Sequence, residues 1–465
     1  MVSERPEPSP LTWMGGDRRL ARRVGRPMRE FLAIEAASGM FLIAATVLAL
    51  VWANSPWSES YHDFLDFHIS IEFGTLLTLD ESLEHWVNDG LMVIFFFVVG
   101  LEIKRELVSG ELRGPRAAAL PAMAAVGGMI VPALIFFAMN QGGPGADGWG
   151  IPMATDIAFA VGVVSLLGNR VPSAMKVFLL TLAIVDDIGA IAVIAIFYTD
   201  DLSIGWLLTA LALTAVVVVM KRTRVWYIPL YVVVGAVLWL AVFESGVHAT
   251  IAGVVLGLIT PAHPLRHYAP RDDAWHECGE DVHVGDAISG RASVGVIRRA
   301  NFEIREQVSV ADRLGDLLHP FSSFLIIPIF ALVNAGIEIS SESLENAVTS
   351  DITLGVVFGL VIGKFIGVSL FTWLGMRLGV SQLPRGASFV HVAGLALIAG
   401  IGFTVSLFIT GLAFESPEVV DDAKLGILAA SAIAATLGTI VLSRAKPAVE
   451  IETETPEDEA AEAPE

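Results

Sequence analysis

The chain has 465 residues, 54% of them hydrophobic, with a mean hydropathy of +0.67. Soluble domains run to about 45 to 50% apolar residues without long uncharged stretches, so a large soluble protein is excluded and a polytopic membrane protein is expected. The net charge of −20 argues against nucleic acid as a partner, and the single cysteine, Cys278, excludes an intramolecular disulfide.

Residues 1–30 form a basic N-terminus. The first apolar run, 31–52, has 22 residues, longer than a signal-peptide core, and reads as a retained helix. Twelve spans are expected, at 31–52, 86–103, 117–139, 150–168, 177–198, 205–220, 226–243, 247–260, 320–337, 352–374, 389–411 and 424–443. With that count, 27 of the 29 Lys and Arg residues fall on one side of the membrane, which predicts that both termini are cytoplasmic. Only Lys424, at the mouth of the last span, and Lys364, inside the tenth, fall elsewhere.

Between the first two spans, 67–73 alternates apolar and polar residues and is followed by Gly74, a strand pattern that predicts a small extracellular β-hairpin continuing into 76–79. It reads either as a cover over the helix ends or as a contact between two copies of the chain. The long polar loop 261–318 holds His276, Glu277, Cys278 and His283, whose spacing matches no metal-ligand pattern; a mobile insertion is the expectation. The membrane domain is placed at 31–445, and the acid-rich stretch 446–465 reads as a solvated, disordered tail.

Chemistry concentrates in the fifth span, where Asp186 and Asp187 stand side by side at the centre of 177–198. Each ionised Asp at that depth costs about 2.5 to 3.5 kcal/mol, so the pair demands compensation and marks an ion or proton pathway. Helical neighbours point about 100° apart, letting one carboxylate face a cavity while the other meets a partner. Spans three to five and ten to twelve run in opposite senses, which predicts two inverted-topology repeats over 117–198 and 352–443. The middle span of each triplet carries an interruption, Gly150 to Asp156 with Pro152 in one and Gly400-Ile401-Gly402 in the other. Broken helices expose partial positive charge at N-termini and partial negative charge at C-termini. Asp156 and Lys364 suit the compensation of those two kinds of end, and Lys364 also suits a pairing with Asp186 or Asp187.

The chain resembles the NhaA-type sodium/proton antiporters. The resemblance rests on Asn88 to Leu91, Gly100 to Leu107, Ala154 to Ala160, the Asp186-Asp187 segment, Gly246 to Gly253, His319-Pro320, Asn334 to Gly336, Gly363-Lys364 and Gly400 to Thr404, in order over 30–445. This family is itself a reference case for inverted repeats. The resemblance implies electrogenic exchange of Na⁺ or Li⁺ for protons across a bacterial inner membrane, with no cofactor. It implies that Asp186 and Asp187 carry the cation and the protons, that Lys364 is coupled to them, and that Thr155 and Asp156 belong to the crossing with Gly400 and Gly402. It also implies a pH response at Glu102, Arg105, Glu106, His248 and His319, and a homodimer through 67–79. The chain departs from the family in the length of 261–318 and in having Gly315-Asp316 where an acid-histidine pair is expected, so alkaline activation transfers less directly than exchange.

Two adjacent carboxylates titrate as a coupled unit, and a hard cation such as Na⁺ competes for the same oxygens, joined by backbone carbonyls and the Thr155 hydroxyl. Direct competition and a lysine switch, in which Lys364 pairs with Asp186 and yields to Na⁺, both fit the sequence. A Na⁺-coupled solute symporter is the alternative, although few polar side chains beyond Thr155, Thr404 and Ser406 lie near the crossing. An aspartyl protease would need its two acids on separate helices.

Overall fold

The computed structural model describes residues 36–73, 77–199, 202–223, 225, 227–263, 307–384 and 386–445. The basic N-terminus, the hairpin turn, the acidic tail and most of the long loop, with His276, Glu277, Cys278 and His283, lie outside the described residues.

The chain is mostly helical. Helix α1 (Ala36–Ala53) turns by 116° into the short α2 (Ser58–Leu65). Strands β1 (His68–Phe73) and β2 (Leu77–Ser82) pair antiparallel, with Ser70 opposite Asp80 and Ile71 opposite Leu79. The second strand therefore runs three residues beyond the 76–79 expected. Ser70 Oγ donates to Asp80 Oδ1 at 2.5 Å and His68 Nδ1 stands 3.4 Å from the same oxygen. These contacts, the serine first, hold the Asp80 carboxyl below its ordinary range. Trp86 Nε1 donates to Ile69 O at 3.1 Å and pins the strand pair to the next helix.

That helix begins with a π-helical turn over Trp86–Leu91 and continues as α3 (Met92–Val108). Then come α4 (Pro115–Met139), a 3₁₀ segment at Ala146–Met153, α5 (Ile157–Leu166) and α6 (Ser173–Phe197). At about 1.5 Å per residue the 25-residue α4 and α6 are each long enough to cross a hydrocarbon core of about 30 Å. Helices α7 (Ile204–Arg222), α8 (Ile228–Phe243) and α9 (Thr250–Ile259) follow. After the long loop, α10 (Val310–Phe321) passes through a π-helical turn into α11 (Ile327–Asn334), and the short α12 (Ser341–Thr349) leads to α13 (Asp351–Val357). A π-helical turn at Phe358–Gly363 joins α13 to α14 (Lys364–Arg377). Helices α15 (Phe389–Ile398) and α16 (Phe403–Ala413) meet at 45°, and α17 (Pro417–Arg444) closes the bundle.

Among the described residues, seven helices are long and apolar enough to cross a membrane, or nine if each of two bent pairs is one span. Helices α8 and α9 are apolar but shorter, and α3 carries four charges in its last turns. Exposed apolar side chains run along α1 (Met40, Val47, Val51), α7 (Leu208, Leu211) and α8 (Val232, Val233). In water such rows would drive aggregation; in a bilayer they meet acyl chains.

Packing inside the bundle relies on small residues. Helices α4 and α14 cross where Gly127 and Gly367 face one another, and a Cβ on either would collide with the backbone carbonyl of the other. Without water to drive association, such close backbone approach supplies the dispersion contacts that hold membrane helices together. Among the described residues, three π-helical turns were not foreseen from the sequence.

Candidate ion-binding site

The site forms where two interrupted helices pass each other. Pro152 supplies no N–H to continue a helix, and the chain runs extended through Ala154, Thr155 and Asp156 before α5 begins. In the other strand of the crossing, Ala399 to Gly402 separates α15 from α16. The backbones touch directly, Asp156 N donating to Ile401 O at 2.7 Å. Gly400 and Gly402 permit this, because a Cβ on Gly400 would strike the Leu360 carbonyl and one on Gly402 would come within 2.9 Å of Leu360 Cδ2.

Both N-termini converge on one carboxylate. Asp156 is the N-cap of α5, with Oδ1 accepting from Phe159 N at 2.9 Å. Its Oδ2 accepts from Thr404 N at 3.1 Å and Thr404 Oγ1 at 2.7 Å, capping α16 as well. One negative charge thus answers two positive helix ends and their orphan donors.

The opposite ends present carbonyls, and hydroxyls and an ammonium meet them. Lys364 Nζ donates to Met153 O, to Thr155 Oγ1 at 3.0 Å and to Asp186 Oδ2 at 2.5 Å. Ser406 Oγ donates to Ile151 O at 2.8 Å. Thr155 Oγ1 lies 2.7 Å from Asp186 Oδ2 and 2.8 Å from Ala399 O. Its one proton serves a single acceptor at a time, so one of these two oxygens goes without it.

Asp186, Asp156 and Lys364 are at most 2% exposed and Asp187 is 7% exposed, which leaves three buried acids around one buried base. Oδ1 of Asp186 and Oδ1 of Asp187 are buried without a hydrogen-bond partner. A buried carboxylate oxygen without a donor is costly, so the pair is incomplete as it stands. Two open carboxylate oxygens beside a hydroxyl and helix-end carbonyls make a donor set of the kind that hard cations prefer.

The other candidate residues lie away from the crossing. Glu102 is on α3, its Oε1 3.8 Å from His319 Nε2 on α10. Glu106, one turn on, accepts from Glu111 N at 2.9 Å, Arg105 lies between them, and His248 sits just before α9. A crevice of about 660 Å³ opens between α3, α4 and α6, lined by Glu106, Glu111, Arg113, Leu180 and Thr181. Leu180 precedes Asp187 by two helical turns on one face, a rise of about 10 Å. On the far side of the crossing Phe408 of α16 packs against Phe96 of α3 (5.3 Å) and Phe330 of α11 (6.3 Å).

The sequence therefore identified the side chains Asp156, Thr155, Asp186, Asp187 and Lys364 that the fold gathers. It did not identify the backbone acceptors Met153 O, Ala399 O and Ile151 O, or the double capping by Thr404. A Thr two residues past Gly402, at a predicted helix start, was the available signal for the last of these.

Residues 29–442 match the family described as Na⁺/H⁺ antiporter 1. The chain belongs to the Na⁺/H⁺ antiporter 1 family. Relatives in this family include Na(+)/H(+) antiporter NhaA 3 of Frankia alni, 46% identical over 441 residues, which cover 95% of this chain and 92% of the relative. Na(+)/H(+) antiporter NhaA of Rhodopirellula baltica is 47% identical over 413 residues, 89% of this chain and 92% of its own. The protein of the same name in Oleidesulfovibrio alaskensis is 46% identical over 421 residues, 90% and 93%. The match to the antiporter family spans every residue of the crossing, and membership makes the chain a multi-pass membrane transporter.

Proposed function

We propose that the protein exchanges Na⁺ or Li⁺ for protons across a bacterial inner membrane, extruding sodium electrogenically and contributing to pH homeostasis and salt tolerance. The observation that carries the reading is the unpartnered oxygen on each of the neighbours Asp186 and Asp187, with Asp186 bonded to Lys364 and Thr155 at the crossing of two broken helices. In this reading Asp187 and Asp186 bind the cation with the Thr155 hydroxyl and helix-end carbonyls, and protons or Lys364 replace it when it leaves. Asp156 and Lys364 compensate the helix ends, and Gly400 and Gly402 let the backbones cross.

The crevice at Glu106 and Glu111 is the cytoplasmic entrance, its acids raising the local cation concentration. The phenylalanines at 96, 330 and 408 close the opposite side until the bundle rocks. Alternating access follows if the crossing moves only when its excess negative charge is neutralised by a cation or by protons.

The architecture in this reading has twelve spans, both termini in the cytoplasm, and inverted repeats over 117–198 and 352–443. The helical segments and the matched interruptions at 154–156 and 399–402 support it. Glu102, Arg105, Glu106, His248 and His319 adjust activity to pH, supported by the Glu102–His319 approach. The paired strands at 67–79, projecting from the bundle, join two copies into a homodimer in membrane lipid.

The test uses everted membrane vesicles and a pH-sensitive dye, following the collapse of a respiratory ΔpH on addition of Na⁺, Li⁺ or K⁺. The native protein is expected to dissipate the gradient with Na⁺ and Li⁺, and Asp187→Asn to abolish the response. A native, correctly inserted protein without a cation-dependent signal anywhere from about pH 6.5 to 9 sinks the exchange reading.

A further inference from the structure

Lys364 has three acceptors in this conformation, one of which is Asp186. If a cation claims Asp186 and Asp187, an ammonium buried at 0% exposure loses its counter-charge and needs somewhere else to donate. A second acceptor stands on α4. Pro132 lies inside that helix and has no N–H, so the Gly128 carbonyl four residues earlier lacks its helical donor. Gly128 and Pro132 are stacked one turn apart on the face that meets α14. A Cβ built on Gly363 would come within 2.7 Å of Pro132 Cα, and one built on Gly128 would lie 3.6 Å from Lys364 Cδ and 3.9 Å from Lys364 Nζ. The lysine stem thus runs over bare Gly128 backbone, and the turn of α4 whose carbonyl is released faces it.

We propose that the Gly128 carbonyl, freed by Pro132, is the second resting place of the Lys364 ammonium, occupied when a cation holds the two aspartates. The inference rests on the exchange reading above and adds to it two positioning residues, Gly128 and Pro132, that touch no transported ion. The long flexible stem of a lysine makes the transfer a change of side-chain rotamer, with Met153 O as the acceptor kept in both states. A mid-membrane proline is then a device that supplies an acceptor where a regular helix has none.

Pro132→Ala restores the N–H, which fills the Gly128 carbonyl. Gly128→Ala is a poorer probe, because its Cβ would come within 2.9 Å of Val368 Cγ2. Na⁺ binding is measured by calorimetry on the purified full chain, and Na⁺-driven exchange in proteoliposomes, for the native protein, Pro132→Ala, Lys364→Ala and the double variant. Pro132→Ala is expected to weaken Na⁺ binding and raise the apparent KM about five- to tenfold with maximal velocity nearly unchanged. In the Lys364→Ala background the same change is expected to have no further effect on Na⁺ binding, since the residue that needs the carbonyl is gone. Pro121→Ala, which restores a donor to Ala117 in the same helix, is the control for general straightening and is expected to leave KM unchanged. Pro132→Gly replaces the alanine variant if that one fails to fold. Native Na⁺ binding with no effect of Pro132→Ala, or an equal effect with and without Lys364, overturns this proposal and leaves the exchange reading standing. Absence of Na⁺ binding by the native protein overturns the exchange reading instead.

Discussion

The two kinds of helix end at the crossing are treated differently. At the N-terminal ends, Asp156 engages three donors through both oxygens. At the C-terminal ends, Asp186 uses one oxygen, Asp187 keeps one buried oxygen without a donor, and the Thr155 hydroxyl has more acceptors than protons. A saturated carboxylate is suited to staying put, whereas an unsaturated pair is suited to changing partners. The fold thus gives acids of the same chemical type different surroundings, distinguishing them by how many donors each receives.

The contrast breaks most visibly by removing charge from each side in turn. Asp187→Asn is expected to abolish Na⁺-dependent exchange while the protein inserts and purifies normally, because Asp187 holds no helix end. Asp156→Ala is expected to act first on stability, lowering it by about 2 to 4 kcal/mol as two helix N-termini and the Thr404 hydroxyl lose their acceptor. Thermal unfolding in detergent decides between these patterns. An Asp187→Asn protein as unstable as Asp156→Ala would mean that the labile pair is structural too.

A smaller effect sharpens the same contrast at Thr155. Thr155→Val keeps the shape and removes the hydroxyl, and is expected to raise the apparent KM for Na⁺ about tenfold. Thr155→Ser is expected to stay within about twofold of the native protein, since it retains the proton that moves between Asp186 and Ala399. Equal behaviour of the Val and Ser variants in proteoliposome exchange would remove Thr155 from the site.

Much of the crossing was legible in the sequence because charge is so costly in an apolar run: Asp186, Asp187, Asp156 and Lys364 announced themselves against their surroundings. Interruptions at Pro152 and at Gly400 and Gly402 were legible for the same reason, as residues that disfavour a continuous helix. The partners of those charges were not. Met153 O, Ala399 O and the released Gly128 carbonyl are backbone atoms of a kind that every residue possesses, and only the tertiary approach of α14 to the crossing gives them meaning. The π-helical turn at Phe358–Gly363, immediately before Lys364, was not foreseen either, because Gly359 and Gly363 read equally well as close-packing positions of a regular membrane helix.

The smallest expected effect lies on the paired strands, where Asp80 offers a test of the assembly away from the crossing. Ser70 and His68 hold its carboxyl below the ordinary value, so the folded strand pair gains from the ionised form. The sign follows from linkage: a lowered value contributes stability that is complete above the ordinary Asp value of 3.8 and disappears as the pH falls through the lowered one. Protection of the strand amides at 68–73 and 77–82, each rate taken relative to its unprotected value at the same pH, is therefore expected to hold from about pH 8 to 5 and to fall only below about 4, and Asp80→Asn to remove that acid step. If cross-linking of two copies through 67–79 fails over the same acid range, the strand pair is the dimer contact.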